Sequence, residues 1–323
     1  MKRNSPPTKA CIYLDQFAIS DMVKATNDTI WFEIKEALEE AYRRDKVFCP
    51  ASYEYFIESA QATFERGKSF EYFVDQISDG YSFKTEFEVT SQLISSYIRK
   101  NSVTQNTYLQ TYPAGILSNT KKHNKLEEAN KAHKSLIKKA TAPVNELRKV
   151  TNAQKIEQKN KQQMISSMKI IKTFSFLARL EQVKKTGILK PVNDKIGIKS
   201  IPNWADVIIK RLLEVHNFSK KELGKLIVEV KNHNFDNIPS LDIRNTLEVA
   251  LAIDSKKETS GDQMDISRIA TGLPISEILL TDKKRKSELI EFGLDKKYGT
   301  KIFSGTKQDL PALRTTLVEL CEK

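Results

Sequence analysis

The fold is indicated most clearly by two neighbouring stretches of the sequence, Gly261-Asp262-Gln263-Met264-Asp265-Ile266 and Ile278-Leu279-Leu280-Thr281-Asp282-Lys283. Apolar residues recur at helical spacing over 264–270, which puts Asp262 and Asp265 about one turn apart on one helix face. The run Ile278-Leu279-Leu280 is typical of a parallel strand buried on both faces. Asp282 then stands at the carboxyl end of that strand, where open α/β sheets bind their ligands.

The front of the chain repeats this pattern. Ala10-Cys11-Ile12-Tyr13-Leu14 predicts a strand that ends at Asp15, and residues 46–50 predict a second strand. Ser52 is a good cap for a helix over 53–65, which carries Glu54 and Glu58 four residues apart on one face. Between the two strands, apolar residues recur at helical spacing over 30–41. Strand, helix, strand and helix in this order predict a parallel sheet in an α/β domain.

Carboxylates that gather at one edge of a sheet repel one another unless a cation lies among them. Hard oxygen ligands suit Mg²⁺ or Mn²⁺, so we expect one of these ions as cofactor. Each residue also has an ordinary explanation: Asp262 as a helix cap, Asp282 as a turn residue and Asp15 as a strand terminator. Their joint occurrence in this order favours a metal site.

The basic residues are concentrated in one segment. The chain has a formal net charge of +12, and residues 116–190 contain 18 Lys and Arg against 5 Glu, which leaves 35 basic and 36 acidic residues elsewhere. The apolar spacing in this segment predicts either one long helix or two with a break at Pro143, followed by a partner helix. We expect a basic helical hairpin inserted into the α/β domain.

Composition limits the class of protein. A chain of 323 residues with 39% hydrophobic composition can bury one sizeable core. No stretch approaches the roughly 20 apolar residues that a membrane span needs, so we expect no membrane partner. Three scattered cysteines without a Cys-x-x-Cys pair favour a reducing cytoplasm over a disulfide framework or a zinc site.

The order of these motifs resembles that of the PIN-like nucleases. The matching pieces are Ile12-Tyr13-Leu14-Asp15, Pro50-Ala51-Ser52 with the glutamates after it, Gly261-Asp262-Gln263-Met264-Asp265 and Leu279-Leu280-Thr281-Asp282-Lys283. The resemblance implies a three-layer α/β/α sandwich with a central parallel sheet, and metal-binding carboxylates at the carboxyl edge of that sheet. It does not account for the middle of the chain.

Transferred residue by residue, the resemblance implies a set of metal-site carboxylates. The aspartates that match the family's motif are Asp15, Asp265 and Asp282. Asp262 is an added or alternative ligand, and the helix glutamate falls on Glu58, with Glu54 as the runner-up. Thr281 would support a carboxylate or the metal-bound water, and Lys283 would contact the phosphate.

Taken together, these expectations predict that the protein is a metal-dependent endoribonuclease with a basic insertion. RNA is favoured over DNA because it is the family's commoner substrate, and the nucleic-acid contacts are expected from the lysines of the insertion: Lys121, Lys122, Lys125, Lys138 and Lys139. A regulatory protein or a second copy of the chain is the rival partner for that insertion. The alternatives are an inert nucleic-acid-binding protein on the same fold and a metal-dependent phosphohydrolase of small phosphates.

The predicted domain organisation has four parts. Residues 1–9 form a flexible tail, and residues 10–112 form the first part of the α/β domain. Residues 113–235 form the basic helical insertion. Residues 236–323 return to the α/β domain and carry the acidic helix and the last strands.

Overall fold

A computed structural model describes residues 9–113, 115–151, 158–189, 204–253 and 258–322 of the chain. The predicted tail lies outside this description except for its last residue, Lys9. Lys9 is buried, and its ammonium group contacts the carboxylates of Asp79 at 2.7 Å and Asp45 at 2.5 Å. It therefore belongs to the folded part, and the prediction of a tail that reaches residue 9 is wrong at that residue.

The described strands form two sheets. The strands are β1 (Ala10–Leu14), β2 (Val47–Phe48), β3 (Tyr81–Phe83), β4 (Leu109–Thr111), β5 (Ile278–Thr281) and β6 (Lys301–Ser304). The larger sheet has the order β2-β1-β5-β6 with every pair parallel, and β3 and β4 form a small antiparallel pair. The register across the centre of the larger sheet pairs Leu14 with Leu280 and Thr281 with Ser304.

Helices make up most of the rest. They are α1 (Gln16–Lys24), α2 (Ile30–Arg43), α3 (Tyr53–Ser59), α4 (Phe64–Ile77), α5 (Glu86–Arg99), α6 (Gln105–Tyr108), α7 (Thr120–Thr151), α8 (Gln158–Thr186), α9 (Trp204–Glu214), α10 (Lys220–His233), α11 (Pro239–Ile253), α12 (Ser260–Gly272), α13 (Lys283–Glu291), α14 (Leu294–Tyr298) and α15 (Asp309–Glu322). The described part of the chain is thus mainly helical and contains a four-stranded parallel sheet, which is compatible with the predicted α/β class. None of the helices in the described ranges has the length and apolar character needed to cross a bilayer.

The chain divides into two compact units. The sheet unit consists of Met1–Lys84, Tyr108–Lys131 and Thr271–Lys323, and the helical unit consists of Thr85–Thr107 and Ala132–Ala270. These boundaries differ from those drawn on the sequence, because the helical unit includes α5, α11 and most of α12 as well as most of the basic hairpin. The acidic helix thus lies mainly in the helical unit, and the last two strands lie in the sheet unit.

The core of the sheet unit is built on β5. All four of its residues are buried, and it is flanked by β1 and β6, as a central parallel strand should be. Helices α2 and α15 pack together on this unit, with Ile34, Leu38 and Leu317 nearly fully buried. The apolar runs that predicted β1 and β5 therefore mark the strands at the centre of the sheet.

Two helices of the sheet unit differ from the sequence-based expectation. α1 begins directly after Asp15, in a stretch for which no helix is predicted, and it buries Ala18, Ile19 and Met22. The helix predicted over 53–65 ends at Ser59, and α4 begins at Phe64 after a short turn. The residues in that turn are compatible with a helix. We attribute the break to tertiary packing, since both α3 and α4 bury aromatic side chains.

The helical unit contains a buried network of charges. Three carboxylates meet three cations in it: Glu86, Asp242 and Glu248 with Arg244, Lys169 and Lys172. Arg244 contacts both carboxylate oxygens of Glu86 and donates to Glu248 at 2.5 Å. Each charged group in this network has a partner of opposite charge, which offsets the free-energy cost of removing the charge from water.

The segment predicted as a basic hairpin contains α7 and α8. α7 runs through Pro143 as one helix, which decides between the two predicted alternatives. α8 follows after residues that lie outside the described ranges, and it packs against α10 and α11. The predicted pair of helices is therefore present in the described part of the chain.

Candidate active site at the carboxyl edge of the sheet

Asp15 is the first residue after β1. It is 7% exposed and caps α1, with its Oδ1 accepting a hydrogen bond from the backbone N–H of Gln16 at 2.7 Å. Its own N–H donates to the carbonyl oxygen of Leu280 at 3.0 Å. The carboxylate is thus fixed at the edge where β1 and β5 end.

Asp282 holds the corresponding position after β5. Its Oδ1 caps α13 by accepting from the N–H groups of Lys284 at 2.7 Å and Arg285 at 3.0 Å. Parallel strands lie about 4.8 Å apart, so the residues that follow β1 and β5 start from neighbouring positions. Asp15 and Asp282, two of the predicted carboxylates, therefore follow strands that are adjacent in the sheet.

Thr281, directly before Asp282, is 1% exposed. Its Oγ1 is buried, and it has no hydrogen-bond partner among the residues that the structure describes. A buried hydroxyl without a partner is unfavourable by about 1–3 kcal/mol. A water molecule or a ligand atom would satisfy this hydroxyl.

Asp309 is a third carboxylate of this edge, and the sequence-based prediction did not include it. It follows β6, and its Oδ2 accepts from the backbone N–H of Ser304 at 2.8 Å while Oδ1 contacts the ammonium group of Lys286 at 2.5 Å. Partial burial raises the pKa of Asp309, but hydrogen bonds from Lys286 and Ser304 outweigh it, so that the pKa lies below the usual value. The available signal was the Thr306-x-x-Asp309 spacing of a capping box.

Two further cationic side chains lie on α13 close to these carboxylates. Lys283 is exposed at the first position of the helix. Arg285 is 1% exposed and donates to Glu288 at 2.6 Å. The amino terminus of α13 adds partial positive charge from its backbone N–H groups. Of these groups, Lys283 and the helix end can attract an anion, whereas Arg285 is buried and paired with Glu288.

Glu54 and Glu58 lie on α3 of the same unit, and both are partly buried. α3 is capped by Ser52, whose Oγ accepts from the N–H of Tyr55 at 2.9 Å. Because the helix rises about 1.5 Å per residue, Glu58 lies roughly 6 Å farther along its axis than Glu54. Glu54, in the first turn, starts closer to the end of β2.

Asp262 and Asp265 lie on the part of α12 that belongs to the helical unit. Asp262 accepts hydrogen bonds from the N–H of Thr259 at 2.9 Å and from its hydroxyl at 2.7 Å. Asp265 forms an ion pair with Arg268 at 2.9 Å. Both carboxylates thus have partners in the local structure of the helix start.

The oxygen donors at the sheet edge can be compared with what a divalent cation needs as ligands. In the described part of the chain, no three or more His, Cys, Asp and Glu side chains form a group that could hold a metal ion. The edge does supply the carboxylates of Asp15 and Asp282. Mg²⁺ is commonly bound through one or two carboxylates, with water and substrate phosphates completing its shell. The residues fit an ion shared with a substrate rather than one enclosed by protein ligands.

The predicted nucleic-acid contacts lie on α7. Lys121, Lys122, Lys125 and Lys138 are exposed, and the side chain of Lys139 lies outside the described part. His123, between these lysines in sequence, is 5% exposed, with its ring 5.6 Å from that of Phe64. The first turns of α7 thus have a buried face and an exposed basic face.

Comparisons of the chain with protein-family models, with curated proteins and with solved structures found no match.

Proposed function

We propose that this chain is a PIN-like, metal-dependent nuclease that cleaves RNA in preference to DNA. The observation that carries the proposal is the position of Asp15 and Asp282 after adjacent, hydrogen-bonded parallel strands. Such an edge is where open α/β sheets bind ligands. The preference for RNA rests on the resemblance to the family alone.

In this proposal Asp15 and Asp282 hold Mg²⁺ or Mn²⁺ together with a phosphate of the substrate. A bound ion of this kind lowers the pKa of a water molecule and stabilises charge on the phosphate. Both capping hydrogen bonds of Asp282 use Oδ1, so its Oδ2 remains for the ion. The Thr281 hydroxyl, which has no hydrogen-bond partner among the described residues, would donate to a water molecule of the site.

The cations around the edge position the substrate. Lys283 contacts the phosphate next to the cleaved bond, and the amino terminus of α13 attracts the same negative charge. The exposed lysines of α7 bind the backbone farther along the strand. The support for this role is the concentration of positive charge in residues 116–190.

Glu58, with Glu54 as alternative, and Asp265, with Asp262, remain proposed further carboxylates of the site. Their support is the order of motifs in the sequence. Each can be tested separately from Asp15 and Asp282.

A nucleic-acid-binding protein without catalysis is the second candidate. It is favoured by the capping roles of Asp15 and Asp282, because a helix cap explains each aspartate without any chemistry. This candidate predicts binding that does not depend on Mg²⁺ and no cleavage.

The test is cleavage of labelled single-stranded RNA, structured RNA and single-stranded DNA in Mg²⁺, Mn²⁺ or EDTA. Asp282→Asn removes the charge and keeps a good helix cap, and Asp28→Asn at the surface is the matched control. We expect RNA cleavage that requires the metal ion, is retained in Asp28→Asn and falls at least about 100-fold in Asp282→Asn. Binding without cleavage in any metal would favour the second candidate, and cleavage of free nucleotides alone would favour a phosphohydrolase.

A further inference from the structure

A polar cluster in the helical unit joins the turn between α9 and α10 to the side of α5. His216, in that turn, is partly buried, and its Nε2 lies 3.2 Å from the hydroxyl oxygen of Ser91, a fully buried residue of α5. The Ser91 hydroxyl donates to the carbonyl oxygen of Glu88 at 3.1 Å. Because its single hydrogen is used there, the Ser91 oxygen acts as an acceptor, and the neutral ring of His216 carries its proton on Nε2.

Two guanidinium groups flank this contact. Arg211 on α9 donates from Nε to the same Ser91 oxygen at 3.3 Å. Arg99 on α5 donates to the backbone carbonyl oxygen of His216 at 2.7 Å. A second proton on the His216 ring would therefore place a third positive charge in a partly buried cluster that already contains two.

The carboxylates of the cluster are paired with those guanidinium groups. Glu88 on α5 lies 3.6 Å from Arg211, and Glu222 on α10 accepts from Arg99 at 2.7 Å. The hydrogen bond from Arg99 is the main reason that the pKa of Glu222 is lowered to about 2, so Glu222 stays ionised in mild acid. The two cations and two carboxylates that face the ring from α5, α9 and α10 thus balance only while His216 is neutral.

The same turn covers part of the apolar core of the helical unit. Phe218 is 6% exposed, lies 5.1 Å from the guanidinium of Arg99 and donates its N–H to the carbonyl oxygen of Leu212 at 2.9 Å. Asn217 before it has a φ of 50°, in the left-handed region, which needs support from the surrounding structure. Release of the turn from α5 would expose Phe218 and let Asn217 relax to an ordinary backbone conformation.

We propose that His216 is the acid-sensitive part of a latch that holds the turn between α9 and α10 against α5, and that the turn detaches locally when the ring is protonated. Burial lowers the pKa of His216 below its ordinary value of 6.5, and the charges of Arg211 and Arg99 lower it further. Because the folded pKa is the lower one, the latch is fully closed above pH 6.5 and weakens as the pH falls below that value. This proposal does not depend on the nuclease activity.

The first test is hydrogen exchange of the full chain, read by mass spectrometry at about pH 7.5 and about pH 5 and corrected for the intrinsic effect of pH on exchange. We expect the wild type to lose protection in residues 212–218 at the lower pH. His216→Gln should keep it, because a glutamine amide donates to Ser91 but takes up no proton. The matched control is His233→Gln at an exposed position of α10, which should respond like the wild type.

Two results of this test would overturn the proposal. One is equal protection of the wild type at both pH values, and the other is an equal loss in His216→Gln. Peptides from α2, in the sheet unit, report on the whole chain. A loss that appears equally in α2 is global unfolding and would also count against the latch.

The second test changes a charge next to the ring and leaves His216 in place. Arg211→Gln keeps an N–H donor for Ser91 and removes one of the two positive charges, so its loss of protection at the lower pH should be smaller than in the wild type. The matched control is Lys210→Gln, exposed on the same helix, which should respond like the wild type. The full wild-type loss in Arg211→Gln would contradict the proposal. Circular dichroism at the higher pH confirms that each variant is folded.

Discussion

The backbone N–H of Asp15 donates to the carbonyl oxygen of Leu280 at 3.0 Å. This bond continues the pairing of β1 with β5 by one residue and fixes the two strand ends relative to each other. The side chains of Asp15 and Asp282 therefore start from a rigid backbone, which is what a binding site needs for a defined geometry.

Asp282 has a structural role that can be separated from its proposed chemical role. Asp282→Ala should lower the free energy of unfolding by about 1 kcal/mol because it removes the cap of α13, whereas Asp282→Asn should be close to neutral. Urea denaturation followed by circular dichroism measures both. Equal destabilisation by the two substitutions would show that the carboxylate charge, and not the cap, stabilises this helix.

Gly272 lies at the end of α12 in tight contact with a buried ring. A Cβ at this position would lie 2.8 Å from Cδ2 of Tyr13, which is 2% exposed. Gly272→Ala should therefore lower the free energy of unfolding by about 1–3 kcal/mol, although alanine favours a helix. Gly261→Ala in the same helix, where the nearest atom is 3.6 Å away, is the control and should not destabilise. A stabilised Gly272→Ala variant would contradict this packing.

Glu248 links the stability of the helical unit to pH. Burial raises the pKa of its carboxyl group, but the charges and hydrogen bonds of Lys172 and Arg244 lower it more strongly, to about 2 from 4.5. Because the folded pKa is the lower one, this contribution to stability is complete above pH 4.5 and is lost as the pH falls towards 2. Urea denaturation at several pH values should show a shallower decrease in stability below pH 4.5 in Glu248→Gln than in the wild type. Parallel curves would remove Glu248 from the acid transition.

The exposed lysines of α7 should control the salt dependence of nucleic-acid binding. Replacing Lys121, Lys122 and Lys125 by glutamine should weaken binding and reduce the slope of log K against log salt by about 0.7 for each single-strand phosphate that is no longer neutralised. Fluorescence anisotropy with a labelled RNA measures both quantities. As control, Lys184 and Lys185, exposed at the end of α8, are replaced in the same way. An unchanged slope in the α7 variant would exclude this face from the binding site.

Local patterns in the sequence predicted the parts of the fold that depend on burial. The apolar runs of β1 and β5 and the helical spacing of α2 and α12 are found in the structure close to the predicted positions. A strand buried on both faces leaves a strong signal because every residue must be apolar. The predicted α/β class follows from these elements.

Other features depend on contacts between distant residues and could not be predicted in this way. The buried carboxylate of Glu71 accepts from the N–H groups of Ile116, Leu117 and Ser118, more than forty residues away. The pairing of Glu86 with Arg244 spans 158 residues. The boundaries of the helical unit depend on such contacts, and they are invisible to a search for periodicity.

Only some residues of the candidate site could be proposed from the sequence, because the others are brought to the edge by contacts between distant residues. Asp15 and Asp282 follow recognisable strands, so their shared edge can be inferred from the sequence. Asp309 follows β6 after a loop, and its contacts with Ser304 and Lys286 require the register between β5 and β6. Its identification as part of the edge needed the structure.

The most direct test of the proposed site is the single-turnover rate of RNA cleavage in Mg²⁺ for four proteins: the wild type, Asp15→Asn, Asp282→Asn and the double variant. All keep a helix cap at the substituted positions, so denaturation curves should agree closely. If the two carboxylates hold one ion, each single variant should be slower by at least about 100-fold, and the double variant only a little slower still, because residues that act as a unit are not additive. Cleavage at the wild-type rate by the folded double variant would contradict an active site at this edge.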